Sequence, residues 1–188
     1  MTMLELLEES PIIAAIKSWE GLEKSLKSEC KVVFVLFGTI CDIDQIVARI
    51  KDAGKVAIVH VDMIQGLSTK RVAVDFIAHN TRADGNYQHE KIHWWSARRR
   101  WDFMSIREPL LWNSIALDTL KKQIEMVPTG CSRDHAGGDA EEFLRSMREY
   151  TDIPLIAGGL LSDKKDVMAA FEAGTDAISA TNEAVWYV

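Results

Sequence analysis

Short apolar runs alternate along this chain with segments whose apolar residues recur at helical spacing. Residues 31–37 (KVVFVLF) and 55–62 (KVAIVHVD) are typical of buried strands, because their apolar residues are not confined to every second position. The same reasoning predicts strands at residues 11–16, 153–159 and 175–182. Strands that are apolar on both faces need covering layers on both sides, as in a parallel sheet.

Helical patterns follow most of these strands. Residues 42–54 begin with Asp and end in Gly, and residues 162–174 begin with Ser-Asp and also end in Gly, which are the usual cap residues of helices. Further helices are predicted at 68–80 and 114–127. The last six residues, EAVWYV, are typical of a closing helical turn.

Repeated strand–helix units predict a parallel sheet with helical crossovers in a single domain covering residues 1–188. Five units are clear, and the intervals 86–113 and 129–147 leave room for three more. Eight units would form an α/β fold of the (β/α)8 TIM-barrel type. An open, doubly wound sheet is the alternative, and periodicity alone does not exclude it.

Composition narrows the classes of function. The chain has 188 residues, of which 47% are hydrophobic and 27% charged, and a net charge of −6 argues against a broad surface for polyanions. No apolar run reaches membrane-spanning length, and the acidic start MTMLELLEES is unlike an export signal. Cys30, Cys41 and Cys131 have no metal-binding spacing, so a cytoplasmic protein without a metal site is expected.

Polar residues and glycines follow the last two predicted strands. Gly158 and Gly159 let a ligand approach the backbone, whose N–H groups can hold a phosphate. Ser179, Thr181 and Asn182 lie at the end of the final strand, and many barrels bind phosphate at their last two strands. The alternative is that the glycines only form a tight turn and that the hydroxyl groups cap the closing helix.

His60 and Asp62 form the second candidate constellation. Alternation places both side chains on one face of a strand, either facing the barrel mouth or forming a buried pair that satisfies itself. The sequence shows no nucleophile elbow, no Cys–His pair at useful spacing and no metal triad. A barrel with a phosphate site and no evident catalytic residues is expected to bind its ligand rather than convert it.

Several segments together resemble the glycerol-3-phosphate-responsive antiterminator family. They are PIIAAIKS, HVDMIQGLS, VAVDFIAHNTRADG, SIALDTLKKQIE, IPLIAGGLLSDKKDVMAAFEAG and AISATNEAVW, and they cover about three-quarters of the chain in the family's order. The resemblance implies a barrel that senses glycerol 3-phosphate as its effector, without a further cofactor. It also implies that the liganded protein acts on a leader mRNA and prevents premature termination of glycerol-utilisation genes. The implied phosphate ligands are Gly158, Gly159, Ser179 and Thr181, with His60 and Asp62 near the glycerol part.

Two segments depart from the family pattern. A strand similar to I-I-S-T-K is missing after ADG, and a later strand similar to E-V-x-P-G is also missing. A shift of one base lets the genetic code read I-I-S-T-K from NYQHEK, and lets CSRDHAGGDAEE supply the second motif. We therefore interpret residues 86–113 and about 129–147 as out-of-frame translations. On this interpretation strands four to six would be lost or replaced, and the Trp- and Arg-rich stretch HWWSARRRW has no selected function.

Two other functions remain open. The protein could be a barrel enzyme that acts on a small phosphorylated metabolite, or a frameshifted relative without function. Arg71, Lys164 and Lys165 are candidates for RNA contacts because they begin helices on the mouth side, although a solvated helix charge is the favoured interpretation of each. The sequence does not indicate an oligomeric state.

Overall fold

The computed structural model describes residues 3–68, 71–88, 104–107, 129–132, 145, 148, 154–158 and 163–187. The eight strands form a closed parallel barrel in chain order, which confirms the predicted barrel and excludes the open sheet. The strands are β1 (Ile12–Ile16), β2 (Val32–Val35), β3 (Val56–His60), β4 (Gly85–Gln88), β5 (Met104–Arg107), β6 (Thr129–Ser132), β7 (Leu155–Gly158) and β8 (Ala177–Ala180).

The described helices surround this barrel. They are α1 (Met3–Glu9), α2 (Trp19–Lys27), α3 (Ile43–Asp52), α4 (Arg71–Asn80) and α5 (Lys164–Glu172), with 3-10 helices at Val61–Met63 and Glu183–Tyr187. The predictions at 42–54, 68–80, 162–174 and the closing turn are confirmed, and the helix predicted at 114–127 lies outside the described residues. Gly54 and Gly174 follow α3 and α5 with φ of 74° and 98°, the left-handed conformation that favours glycine after a helix.

The two faces of β1, β2, β3, β7 and β8 pack into different layers. The side chains on one face of these strands fill the barrel interior. Leu6 and Leu7 of α1 pack with them, so that α1 closes the end of the barrel where the strands begin. The strand residues of this interior layer are Ile13, Ala15, Val32, Phe34, Ile58, Ile156 and Ala177. The side chains on the other face pack outward against the helices. Strands β1, β2, β3, β7 and β8 are therefore buried on both faces, as their apolar runs indicate.

Strands β4, β5 and β6 correct one expectation. These three strands lie in or next to the segments interpreted as out of frame, and of the two expected outcomes, loss or replacement, loss is wrong for the backbone. Parallel pairing forms there because backbone hydrogen bonds do not depend on side-chain identity. The pairing is nevertheless shortest at one place: among the described residues, β5 and β6 meet at Arg107 and Thr129 alone. The origin of the segments in the gene is a matter of codons and stays a prediction.

The β3–β4 and β7–β8 junctions begin alike. Asp84 precedes β4, and its carboxylate accepts a hydrogen bond from the N–H of Ala57 at 2.8 Å, while its own N–H donates to the carbonyl of Ala57 at 2.9 Å. Asp176 precedes β8 and forms the same two bonds with Leu155, at 2.7 and 2.8 Å. Each aspartate therefore ties the start of its strand to the start of the preceding one.

A candidate ligand site at the barrel mouth

Gly158 and Ser179 lie side by side where β7 and β8 end. They are register partners, and Ser179 also pairs with Ile13, whose side chain belongs to the interior layer. Residues paired in a parallel sheet point to the same side, so Ser179 and the open position at Gly158 both face the barrel interior. Ser179 is half-buried, which suits a hydroxyl that lines a mouth. Gly159, the second glycine of the predicted pair, lies outside the described residues.

Thr181 and Asn182 form the turn that leaves β8. Both residues are exposed at the end of the barrel where the strands finish. The side-chain oxygen of Asn182 accepts a hydrogen bond from the N–H of Ala184 at 3.1 Å, and its carbonyl accepts one from Val185 at 3.1 Å. Asn182 thus caps the C-terminal 3-10 helix, whereas the alternative that the sequence left open assigned this role to the hydroxyl groups. Ligand contacts by Thr181 and Asn182 stay predictions.

His60 ends β3 and faces the barrel interior. Its neighbour two residues earlier, Ile58, belongs to the interior layer, and His60 is only 3% exposed. Asp62 lies nearby, with its Oδ2 atom 3.9 Å from Nδ1 of His60. The prediction that both residues share one strand face is wrong, because β3 stops at His60 and Asp62 lies in the following 3-10 helix. The turn of that helix, rather than strand alternation, brings the carboxylate back towards the imidazole.

The loops after β2 and β3 are joined into a wall beside His60. The N–H of Ile40 donates to the carbonyl of Gln65 at 2.9 Å, and the N–H of Gln65 donates to the carbonyl of Gly38 at 3.0 Å. Gly38 and Gly66 have φ of 113° and 88°. A Cβ atom at Gly66 would lie 3.0 Å from Cγ2 of Ile40, so this close approach of the two loops favours glycine. The wall holds the β3 side of the mouth in a defined position.

The amino terminus of α5 is not available as a simple anion site. The Oδ1 atom of Asp163 accepts hydrogen bonds from the N–H groups of Lys165 and Asp166 at 2.8 and 3.0 Å. These are the N–H groups that an anion would use at a helix start. A phosphate in this mouth is therefore better placed at the strand ends of β7 and β8 than on α5. The exposed side chains of Lys164 and Lys165 remain on the mouth side, where the sequence places them.

The C-terminal 3-10 helix, Glu183–Tyr187, is anchored more firmly than its sequence indicates. Nε1 of Trp186 donates to the carbonyl of Ala180 at 2.8 Å, and the Sγ atom of Cys30 lies 3.7 Å from the carbonyl oxygen of Trp186. Burial raises the pKa of the Cys30 thiol, which keeps it protonated and unreactive. Lys24 of α2 forms an ion pair with Glu183 at 2.8 Å. Trp186 belongs to the segment AISATNEAVW, which resembles the family, but the sequence alone predicts no role for it.

The described part of the chain contains no group of three or more His, Cys, Asp or Glu side chains arranged to hold a metal ion. No helix in the described ranges has the length and apolar character needed to cross a membrane. Arg98, Arg99, Arg100 and the neighbouring tryptophans lie outside the ranges that the structure describes. Among the residues that the structure describes, the candidate functional residues are therefore those at the mouth ends of β3, β7 and β8.

Comparison with known proteins agrees with this geometry. Residues 12–186 match the family model described as glycerol-3-phosphate responsive antiterminator. The chain is 38% identical over 186 residues to the protein named "Uncharacterized protein YgcP" of Escherichia coli (strain K12), an alignment covering 99% of this chain and 96% of that protein.

Two solved structures illustrate the fold. The structure of a glycerol uptake operon antiterminator regulatory protein from Listeria monocytogenes matches with a TM-score of 0.80 at 22% identity, covering 93% of this chain and 94% of that one. Deoxyribose phosphate aldolase from Aeropyrum pernix matches with a TM-score of 0.71 at 12% identity, covering 97% and 89%. At these identities the two structures show the barrel fold, while the family assignment rests on the sequence match. The chain belongs to the glycerol-3-phosphate responsive antiterminator family.

Proposed function

We propose that this protein is a cytoplasmic regulator that binds glycerol 3-phosphate in the barrel mouth and then binds a leader mRNA. The observation that carries the proposal is the pairing of Gly158 with Ser179, both facing the interior where two neighbouring strands end. A glycine admits a phosphate close to the backbone, and a hydroxyl beside it can donate a hydrogen bond to a phosphate oxygen. The antiterminator family supplies the identity of the phosphate ester.

The position of His60 supports a ligand with a polar end opposite its phosphate. Three strands lie between β3 and β7 on either side of the closed eight-stranded barrel, so their mouth residues face one another across the axis. A phosphate at Gly158 would direct the rest of the ligand towards His60 and Asp62. Imidazole and carboxylate groups suit the hydroxyl groups of a glycerol moiety, which both donate and accept hydrogen bonds.

RNA binding in this proposal depends on the effector. If glycerol 3-phosphate tightens RNA binding by a given factor, RNA must tighten ligand binding by the same factor, because the coupling is reciprocal. Titration of a leader RNA with an intrinsic terminator, with and without glycerol 3-phosphate, measures this factor. Equal RNA affinity in the two titrations contradicts the antiterminator mechanism for this chain. Arg71, Lys164 and Lys165 are the first positions to replace when mapping the RNA surface.

A phosphate-binding enzyme is the second candidate. The fold similarity to an aldolase and the proximity of His60 to Asp62 favour testing it, since a His–Asp pair can serve in proton transfer. Incubation with sugar and triose phosphates separates the two functions. Turnover of any of them, abolished by His60→Ala, would establish an enzyme, whereas binding without turnover is what the regulator requires.

A frameshifted relative without function is the third candidate, and it rests on the departures at residues 86–113 and about 129–147. The nucleotide sequence decides the frame: small insertions or deletions that restore the missing family motifs are expected. If none restores them, the out-of-frame interpretation is wrong. Ligand binding by the present chain would independently exclude loss of the effector site.

A further inference from the structure

The candidate phosphate ligands Ser179, at the end of β8, and Thr181, in the turn that follows, have Ala180 between them. Ala180 is the last residue of β8 and is fully buried on the outward face. Its carbonyl oxygen accepts the hydrogen bond from Nε1 of Trp186 at 2.8 Å. Because the peptide bond is planar, fixing this carbonyl also fixes the N–H of Thr181, which belongs to the same peptide unit.

The indole itself is held in place from several sides. Trp186 is 3% exposed and packs in the outer layer with Leu22 of α2 and Ile16 of β1. The preceding residue, Val185, packs instead with Ile178 and other residues that join β8 to α5. The C-terminal 3-10 helix therefore bridges two apolar clusters, one on each side of the β8–β1 seam. A donor with so little freedom defines the orientation of the carbonyl it contacts.

We propose that Trp186 is a positioning residue for phosphate binding: its indole N–H orients the Ala180–Thr181 peptide so that the turn after β8 is preformed for the ligand. This inference rests on the proposed function, because it assigns a role towards the same site. Trp186 does not itself contact the ligand, since its ring lies in the outer layer while Ser179 faces the interior. Preorganisation of a binding turn increases affinity because less ordering is needed when the ligand arrives.

The test replaces the donor while leaving most of the packing. Trp186→Phe in the full chain removes the N–H, and Trp186→benzothienylalanine removes it with almost no change of shape, since sulfur replaces the indole nitrogen. Affinities for glycerol 3-phosphate and for inorganic phosphate are measured by calorimetry. Both ligands are expected to bind about two- to tenfold more weakly, the effect of losing one hydrogen bond.

The matched control is Val185→Ala. Val185 is fully buried in the same short helix, but its side chain cannot hydrogen-bond to Ala180. Val185→Ala should lower the melting temperature while leaving both ligand affinities within twofold of the original chain. A structural role alone would make affinity follow stability, so that Val185→Ala and Trp186→Phe weaken binding alike.

Each outcome is decisive. Unchanged affinity in the benzothienylalanine protein overturns the role of Trp186, and so does equal weakening by Val185→Ala. Binding of inorganic phosphate without binding of glycerol 3-phosphate would contradict the proposed function, while the phosphate titrations would still test Trp186. If the original chain binds neither ligand, both proposals fail.

Discussion

The β3–β4 and β7–β8 junctions have the same base and different mouths. At the base, Asp84 and Asp176 each tie two strand starts together with a pair of hydrogen bonds. Each aspartate also forms an ion pair with a helical cation, Lys51 or Arg148. Asp84 contacts Ala57 and Asp176 contacts Leu155. His60 and Gly158 lie the same distance along the chain after these two partners, so they occupy equivalent positions. One half of the barrel thus presents an open backbone at its mouth, and the other presents an imidazole.

In the proposed function, the ligand is recognised by the strand ends and not by the base interactions that the two junctions share. The base interactions set strand register, which a parallel barrel needs at every junction. In the proposed function, ligand specificity comes from the strand ends, where the equivalent positions have different chemistry. The two sides of the barrel mouth are complementary in the proposed function. A phosphate needs space and N–H donors, whereas a glycerol group needs polar side chains.

The outer layer also differs between the two junctions. Ile178 in β8 is fully buried there among apolar side chains. The equivalent residue of β4 is Asn86, which is also fully buried and pairs with the outward-facing Val59. A buried amide in an apolar layer is unfavourable relative to a well-packed aliphatic side chain. This difference is what the out-of-frame interpretation expects of β4, because the missing family motif has isoleucine in this strand.

The largest effect is expected from making β8 resemble β4. Ile178→Asn places an amide in the apolar layer and removes aliphatic packing, so it should lower the free energy of unfolding by about 3 kcal/mol or more. Urea unfolding followed by circular dichroism measures the change. A decrease below about 1 kcal/mol would show that the outer layer tolerates amides. Asn86 would then give no support to the out-of-frame interpretation.

The shared base gives the next prediction. Asp84→Ala and Asp176→Ala each leave a strand N–H without its carboxylate partner, so each should cost about 1–3 kcal/mol. The two costs should agree to within about 1 kcal/mol if the junctions are equivalent. Asp52→Ala is the control, because Asp52 forms an ion pair with Arg82 on the surface, where both side chains are more than half exposed. A clear destabilisation at one junction with none at the other would contradict the equivalence.

A smaller effect, of opposite sign, is expected from making β4 resemble β8. Asn86→Ile restores an aliphatic side chain in the outer layer and should raise the free energy of unfolding by about 1 kcal/mol. The same urea titration measures it. Destabilisation would show that Asn86 is well accommodated and that β4 has adapted to its present sequence.

The sequence predicted the barrel from its most regular parts. Strand β2 reads VVFV and is buried at every position, so its apolar run leaves little choice of structure. Strand β6 reads TGCS, which has no apolar run and contains a glycine, and its position was only inferred from the space between other units. In the closed barrel, β5 and β7 lie on either side of β6 and provide backbone hydrogen-bond partners, which stabilise a strand that has no apolar run of its own.

The sequence predicted the relative positions of some candidate residues and not of others. Gly158 and Ser179 do share the barrel mouth, because strand ends in a parallel sheet gather at one edge. The placement of Asp62 was wrong, since hydrophobic alternation does not reveal where a strand gives way to a 3-10 helix. The hydrogen bond of Trp186 depends on a contact between separate elements, and a single sequence carries no local signal for it.

The smallest effect is expected from the Trp- and Arg-rich stretch. If it is an out-of-frame segment, replacing Arg98, Arg99 and Arg100 by alanine should leave specific RNA affinity and its salt dependence unchanged. If these arginines instead bind RNA phosphates, the salt slope should fall by about one unit for each of them that is replaced. Filter binding at several salt concentrations measures the slope. A cooperative melt of the present chain, together with abolished RNA binding in the triple variant, would identify this stretch as a real functional surface.

The most direct test of the account is glycerol 3-phosphate binding by Ser179→Ala compared with Thr175→Ala. Thr175 carries a hydroxyl just before β8, where it donates to the carbonyl of Ala170 at 2.9 Å, far down the strand from the mouth. Ligand at a hundred times its dissociation constant should stabilise the original chain by about 2.7 kcal/mol. Thr175→Ala should keep this ligand-induced stabilisation despite a lower starting stability, and Ser179→Ala should lose much of it. Equal stabilisation of both variants by the ligand would contradict the assignment of the phosphate site to the β7–β8 mouth.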